Sequence, residues 1–197
     1  MESTAKNYIS NSYQGNLNFY RHKISYTLQD TIFLAVKLNF LLGLRVGELV
    51  ALKWEDYCNI NHLHIVREEV RSQVINKYEI VEHTKSNSDR FVILVPKAIN
   101  ILQKIERKGE YIFMRNGKRI TSRQIAYVLE KYAERQGLAT KSTHKMRKTF
   151  ASNLNANGVP LDCIRELLGH SNLNTTLGYV YNPLTEQETY DRISKAL

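Results

Sequence analysis

The sequence predicts a mainly α-helical domain carrying one small antiparallel β-sheet, an α+β fold. Three observations lead there. Apolar residues recur at helical spacing through 30–43, 96–109, 121–137, 142–157 and 161–168. Alternating and β-branched runs are confined to one interval, 62–95. Glycine, proline, asparagine and aspartate fall at the seams between these segments, where caps and turns need them.

Taken in order, residues 1–29 are polar with little periodicity, and they read as an N-terminal arm or the remnant of a linker. Asp30 is placed to N-cap a helix through Ile32, Phe33, Leu34, Val36, Leu38, Phe40 and Leu41. Its apolar residues lie on nearly every side, as expected of a buried central helix, and Gly43 ends or bends it. A second helix follows over 46–53. Strands at 62–66, 78–82 and 91–95 are expected to form the sheet, with a turn at 85–90 between the second and third.

Pro96 opens a helix that closes at Gly109, and Asn116-Gly117 makes a tight turn. Thr121 and Gln124 have capping-box spacing ahead of a helix that ends at Gly137. Ser142 or Thr143 caps the next helix, which runs to Asn157. Met146, Phe150 and Leu154 supply its buried face and leave His144 and Arg147 near the rim. A short helix over 161–168 stops at Gly169. After a turn of small polar residues comes Tyr179, and Pro183 then starts a final amphipathic helix with Tyr190, Ile193 and Leu197 on its stripe.

At 197 residues the chain can bury one sizeable core. Its 28 Lys and Arg against 19 Asp and Glu leave a formal charge of +9, which favours a polyanionic partner. Nucleic acid is the first candidate and an anionic membrane surface the second. Cys58 and Cys163 are too few and too far apart for a disulfide framework or a C-x-x-C unit, so reduced thiols in the cytoplasm are expected. No apolar run is long enough to span a bilayer, and the first twenty residues lack the apolar region of a signal peptide. A phosphate-binding G-x-x-x-x-G-K-[ST] loop and a tight Asp/Glu cluster of the two-metal type are both missing from the sequence. His62 and His64 share one strand face and read as surface residues before they read as metal ligands.

Several cations and imidazoles sit where packing does not require them. Arg45 lies between two apolar helices, and His144 and Arg147 are three apart on one helix. Lys85 lies in a turn between strands, and His170 follows a helix-stop glycine. Singly, each has an ordinary structural reading. In combination they resemble the boxes of one family. Gly43-Leu44-Arg45-Val46-Gly47-Glu48-Leu49 resembles the first arginine box of the tyrosine recombinases, or phage integrases. His144-Lys145-Met146-Arg147 resembles the second, and Leu167-Leu168-Gly169-His170-Ser171, with Tyr179 nine positions after the histidine, resembles the third. Lys85 occupies the β-hairpin position of the family's lysine. The likeness extends over about 30–185, and four boxes in order and at the right spacing are far more specific than any one of them.

The resemblance implies a catalytic domain at 30–182, with 183–197 as a helix that docks on a neighbouring protomer. It implies attack by Tyr179 on a DNA phosphodiester to give a 3′-phosphotyrosyl enzyme and a free 5′-hydroxyl. A tyrosine hydroxyl titrates near ~10, so ionising one at neutral pH costs about 4 kcal/mol and calls for cations and a base. The implied roles meet that need. Arg45 and Arg147 hold nonbridging oxygens, His144 assists as base, His170 donates a hydrogen bond, and Lys85 protonates the leaving oxygen. Glu48 is assigned to structure. No metal, ATP or other cofactor is expected.

The implied partner is double-stranded DNA, with self-association into a tetrameric synapse and no membrane. The implied setting is the cytoplasm, at the bacterial nucleoid. The implied function is site-specific recombination for a mobile element. A DNA-binding regulator that no longer cleaves and a type IB topoisomerase are the alternatives. Lys148 departs from the family, which commonly has histidine there. Tyr181 is expected to pack or hydrogen-bond and not to react. The segment before residue 30 is too short for the N-terminal DNA-clamping domain of most members. A catalytic fragment is therefore expected, with a short recombinase as the alternative.

Overall fold

The computed structural model describes residues 30–59, 61–72, 77–82, 89–139, 142–180 and 185–197. The N-terminal arm, Lys85, Tyr181 and Pro183 all lie outside these residues.

Helix α1 (Thr31–Leu42) is the centre of the main core. Ile32, Phe33, Leu34, Ala35, Val36, Leu38 and Leu42 are all buried, so water is excluded on nearly every side. Asp30 caps it by accepting from the Ile32 N–H at 2.9 Å. Gly43 ends it in the left-handed region, φ 62°. A Cβ there would come within 2.3 Å of the Phe150 ring, so this glycine also lets a second helix approach closely.

α1 packs on α2 (Val46–Ala51), α3 (Pro96–Leu102), α4 (Ser122–Arg135) and α5 (His144–Ala156). α4 starts with the expected capping box, Thr121 with Gln124. Helix α6 (Leu161–Leu168) is closed by left-handed Gly169. A short helix α7 (Leu173–Leu177) follows, and α8 (Glu186–Ala196) is the last element. Phe150, Ala151, Ile164 and Leu168 form a second, smaller core against which Tyr179 and Val180 pack.

Among the described residues the strands form three antiparallel pieces where a single sheet was expected. β1 (Tyr57–Asn59), β2 (His62–Ile65) and β5 (Arg90–Ile93) make one sheet, with Ile65 opposite Arg90. Leu63, Ile65 and Val92 face the core, while Phe91 faces outward and stacks on His64. The expected second strand, β4 (Tyr78–Val81), pairs instead with β3 (Glu68–Arg71). β3 escapes sequence reading because both of its buried residues, Glu68 and Glu69, are carboxylates. Glu69 is buried and accepts from Arg119 and from the Ser122 N–H at 2.9 Å each, tying β3 to the start of α4. β6 (Met114–Arg115) and β7 (Lys118–Arg119) flank the expected turn, with Asn116 and Gly117 both at positive φ.

Some boundaries move. The helix expected over 46–53 ends at Ala51, because Lys53 and Asp56 cap a following 3₁₀ turn, Trp54–Asp56. The helix opened by Pro96 stops at Leu102, well short of Gly109. Thr143 precedes α5 but makes no side-chain cap bond. The final helix starts at Glu186, where Thr185 and Glu188 satisfy each other's backbone N–H groups.

Candidate active site

The site forms where the Gly43 end of α1 meets α2, α5, α6 and α7. Its foundation is Glu48, whose side chain has 0% exposure. Its carboxylate accepts from the Arg45 N–H at 2.8 Å and from Arg45 Nη1 at 2.7 Å. From the opposite side Arg90 docks bidentately, Nη1 at 2.9 Å and Nη2 at 2.7 Å. Burial alone would raise the Glu48 pKa, but the Arg90 hydrogen bonds and charge, then Arg45 and Arg147, outweigh it and lower it. Three guanidinium groups, those of Arg45, Arg90 and Arg147, thus act on a single carboxylate. The surplus of positive charge suits an anionic ligand.

Arg147 is not at the rim of α5 as the spacing suggested; it is 1% exposed. Its Nη1 donates to the Gly43 carbonyl at 2.7 Å, and its Nη2 donates to the Leu168 carbonyl. Both acceptors belong to the C-terminal ends of helices, α1 and α6, where carbonyls lack intrahelical partners. These carbonyls explain how a guanidinium enters the interior, a feature that apolar periodicity cannot register. Burial, reinforced by Arg45 and Arg90, lowers its pKa to about 10, which keeps it cationic at neutral pH. Its buried Nε–H has no hydrogen-bond partner among the described residues.

Tyr179 lies against this cluster. Its hydroxyl meets His144 Nε2 at 2.5 Å, and the two rings are edge-on with centroids 4.8 Å apart. His170 packs edge-on from another side, at 4.6 Å. The Arg147 guanidinium carbon lies 6.0 Å from the ring centroid. Burial first, then Arg147, Lys148, Arg45 and Lys145, lower the His144 pKa, favouring its neutral, proton-accepting form.

His170 is 6% exposed, and burial with the surrounding Arg147, Arg45 and Arg90 lowers its pKa to about 4. It is therefore a neutral imidazole at pH 7. Its Nδ1 pairs with Thr176 Oγ1 at 3.0 Å. If that hydroxyl donates, the imidazole proton sits on Nε2, making His170 an uncharged hydrogen-bond donor. Thr176 is fully buried, and its carbonyl also accepts the Tyr179 N–H at 2.9 Å. Asn172 fixes the start of this segment by accepting from the Thr175 N–H at 2.9 Å.

Two more side chains of α5 reach the Tyr179 turn. Lys148 Nζ donates to the Gly178 carbonyl at 3.2 Å, and Ser152 Oγ donates to the Tyr179 carbonyl at 3.1 Å. Of the residues singled out in the sequence, the structure brings Arg45, His144, Arg147, His170 and Tyr179 together, and Lys85 lies outside the described residues. Sequence reasoning missed Arg90, Thr176 and Ser152, and it noticed Lys148 only as a departure. Arg90 carried one usable signal, a charge at the inward parity of a strand whose next inward residue is Val92.

The assembled groups are a phenolic hydroxyl, an imidazole in contact with it, a second, neutral imidazole and fixed cations, a set that could support displacement at an anionic centre. Among the described residues no group of three or more His, Cys, Asp or Glu could hold a metal ion. No helix among them is long and apolar enough to cross a membrane.

Comparison with known proteins gives a consistent result. Residues 19–188 match the model of the phage integrase family. Tyrosine recombinase XerC of Thermodesulfovibrio yellowstonii is 32% identical over 160 residues, covering 80% of this chain and 52% of the relative. Tyrosine recombinase XerA of Thermococcus kodakarensis is 32% identical over 174 residues, covering 83% and 54%. The chain thus spans about half the length of the curated relatives it matches. Among solved structures, the Tn1549 transposon integrase in complex with circular intermediate DNA superposes with a TM-score of 0.77 at 18% identity, over 94% of this chain and 65% of that one. XerH bound to a palindromic difH substrate, in a post-cleavage complex, gives 0.63 at 20% identity, over 98% and 51%. At such identities the superpositions show a shared fold.

Proposed function

The chain belongs to the phage integrase family of tyrosine recombinases, and from that premise we propose that it cleaves and rejoins DNA strands through a 3′-phosphotyrosyl intermediate. Tyr179 Oη attacks the phosphorus, forming the P–O(Tyr) bond as the bond to the 5′-oxygen breaks. His144, 2.5 Å away, takes the phenolic proton. Arg45 and Arg147 stabilise the charge that builds on the nonbridging oxygens. Neutral His170 adds a hydrogen bond without changing the charge. Lys85 delivers a proton to the departing 5′-oxygen. The phosphodiester bond energy is kept in the tyrosyl link, so a 5′-hydroxyl from another strand can reverse the step. The scheme consumes neither a metal ion nor ATP.

The observation that carries this reading is the Tyr179–His144 contact beside the three-arginine cluster. The substrate is double-stranded DNA, attracted by the +9 charge, and site-specific recombination for a mobile element is the biological reaction. Residues 30–182 act as the catalytic domain, and the setting is the cytoplasm, at the nucleoid. Helix α8 exposes Tyr190 and Ile193, at 65% and 53%, an apolar side suited to docking on a neighbouring protomer in a tetrameric synapse. Removing 186–197 should then impair assembly on DNA; undiminished assembly would remove that part of the proposal.

The test of the whole reading uses a nicked duplex whose site is first selected from a random-sequence pool by binding to this chain. Wild type should form a denaturation-resistant adduct, and Tyr179→Phe should bind the duplex equally well without forming one. Selective binding with no wild-type adduct would instead identify a regulator that has the fold without the chemistry.

A further inference from the structure

The face of α5 turned toward Tyr179 carries His144, Lys148 and Ser152 at successive four-residue spacings, which places the three side chains in one row. Each touches a different part of the same short segment. His144 meets the Tyr179 hydroxyl, Lys148 the Gly178 carbonyl and Ser152 the Tyr179 carbonyl. The two carbonyls lie just past the end of α7, whose last helical residue is Leu177. Ser152 is 3% exposed and Lys148 is half-buried, whereas the adjacent Lys145 is exposed. The Lys148 ammonium also sits 5.3 Å from the Tyr179 ring centroid.

We infer that Lys148 and Ser152 are positioning residues that hold the backbone of the tyrosine segment so that the Tyr179 hydroxyl stays docked against His144 and the arginine cluster. The inference rests on the reading of Tyr179 as nucleophile. One hydrogen bond at the tip of a tyrosine leaves its ring free to swing about that point. Two further anchors, on consecutive carbonyls at the base of the side chain, fix the axis along which the oxygen is presented. An in-line displacement depends steeply on that alignment, and a misplacement of about 1 Å can cost on the order of a hundredfold in rate. Lys148 thereby gains a specific task at the position where the sequence departs from the family's usual histidine. Neither residue needs to touch DNA to act in this way.

Two measurements on the whole chain test the inference. In the first, without DNA, amide hydrogen exchange is followed across 173–180 in wild type, Lys148→Met, Ser152→Ala and Lys148→Arg. Lys148→Met and Ser152→Ala should raise exchange in that segment, leave α1 protected, and leave the unfolding midpoint near that of wild type. Lys148→Arg, which keeps a charged donor, should stay close to wild type. In the second, single-turnover adduct formation is measured on the selected nicked duplex at saturating DNA. Lys148→Met should slow the rate by roughly tenfold to a hundredfold, with DNA affinity changed less than about twofold and Lys148→Arg recovering most of the loss.

A wild-type chain that forms no adduct overturns the recombinase reading, yet the exchange arm still decides whether the grip exists. Unchanged exchange in both loss variants overturns the grip. An affinity loss with an unchanged saturated rate also overturns it, since Lys148 would then be a phosphate contact. Lys148→Met is half-exposed and suffices if Ser152→Ala fails to fold.

Discussion

Replacing Glu48 with glutamine isolates the electrostatic hub from the rest of the fold, because the side chain keeps its shape and loses its charge. The carboxylate accepts four hydrogen bonds, two from Arg45 and two from Arg90, at 2.7–2.9 Å. A glutamine keeps one acceptor oxygen and turns an NH₂ group toward guanidinium donors, so about half of these bonds are lost. Hydrogen bonds to charged groups contribute about 1.5–3 kcal/mol each, which gives about 3–6 kcal/mol for two. The general cost of stranding one partner of a buried ion pair, about 3–5 kcal/mol, agrees. Against a total stability of about 5–15 kcal/mol this is severe. With a urea slope of about 2 kcal/mol/M, the unfolding midpoint should fall by about 1.5–3 M. Adding Arg90→Met removes the stranded cation and should return at least about 1 kcal/mol relative to the sum of the single losses. A Glu48→Gln loss below about 1 kcal/mol, or strict additivity with Arg90→Met, would refute the assignment of Glu48 as the hub.

Three further outcomes are expected. His170 titrates at about 4 in the folded chain against an ordinary 6.5, so the unfolded chain binds its proton more readily. Stability should be unaffected by this group above 6.5 and should fall as pH drops from there toward 4. Glu48, with its lowered pKa, adds to the loss further down, its contribution being complete above 4.5 and lost as pH falls through the folded value. His170→Gln should flatten the upper part of the urea midpoint profile; an unchanged slope would contradict the burial-driven shift. For catalysis, the lowered His144 pKa puts the acid limb of single-turnover adduct formation below 6.5. A limb above 6.5 would argue against His144 as the base. Lys85→Ala should slow adduct formation by on the order of a hundredfold or more on ordinary DNA. On DNA with sulfur in place of the leaving 5′-oxygen it should come within roughly tenfold of wild type, since a thiolate departs without a proton. Equal slowing on both substrates would reassign Lys85.

Much of this architecture is local and was therefore legible. Asp30, Gly43, Thr121, Gln124 and Gly169 act through hydrogen bonds within a few residues of themselves, and spacing along the chain reveals them. Arg45, His144, Arg147, His170 and Tyr179 could be singled out because their boxes, in order and spacing, resemble those of one family; singly, each reads as an ordinary structural residue. What stayed hidden depends on distant partners. Arg147 looks like a surface residue until α1 and α6 bring the Gly43 and Leu168 carbonyls to it. Arg90 becomes structural through Glu48, forty-two positions away, and the Leu167 carbonyl, seventy-seven away. β3 reads as polar because Glu69 finds its partners, Arg119 and Ser122, fifty and fifty-three positions along the chain. Thr176 and Ser152 are small hydroxyl residues whose roles are set by which backbone group or ring nitrogen they face. None of these tertiary pairings leaves a periodicity in the sequence.

One tyrosine of twelve, Tyr179, is the proposed nucleophile. Its most direct measurement is to trap the covalent adduct on the nicked duplex, digest protein and DNA, and locate the nucleotide by fragment-ion mass spectrometry. Cleavage by trypsin after Arg165 and Arg192 leaves Tyr179, Tyr181 and Tyr190 on one peptide, so fragmentation within that peptide decides among them. Attack by Tyr179 predicts a 3′-linked nucleotide on that residue and a free 5′-hydroxyl on the released strand. A nucleotide on Tyr181 or Tyr190, or a 5′-linked adduct, would contradict it.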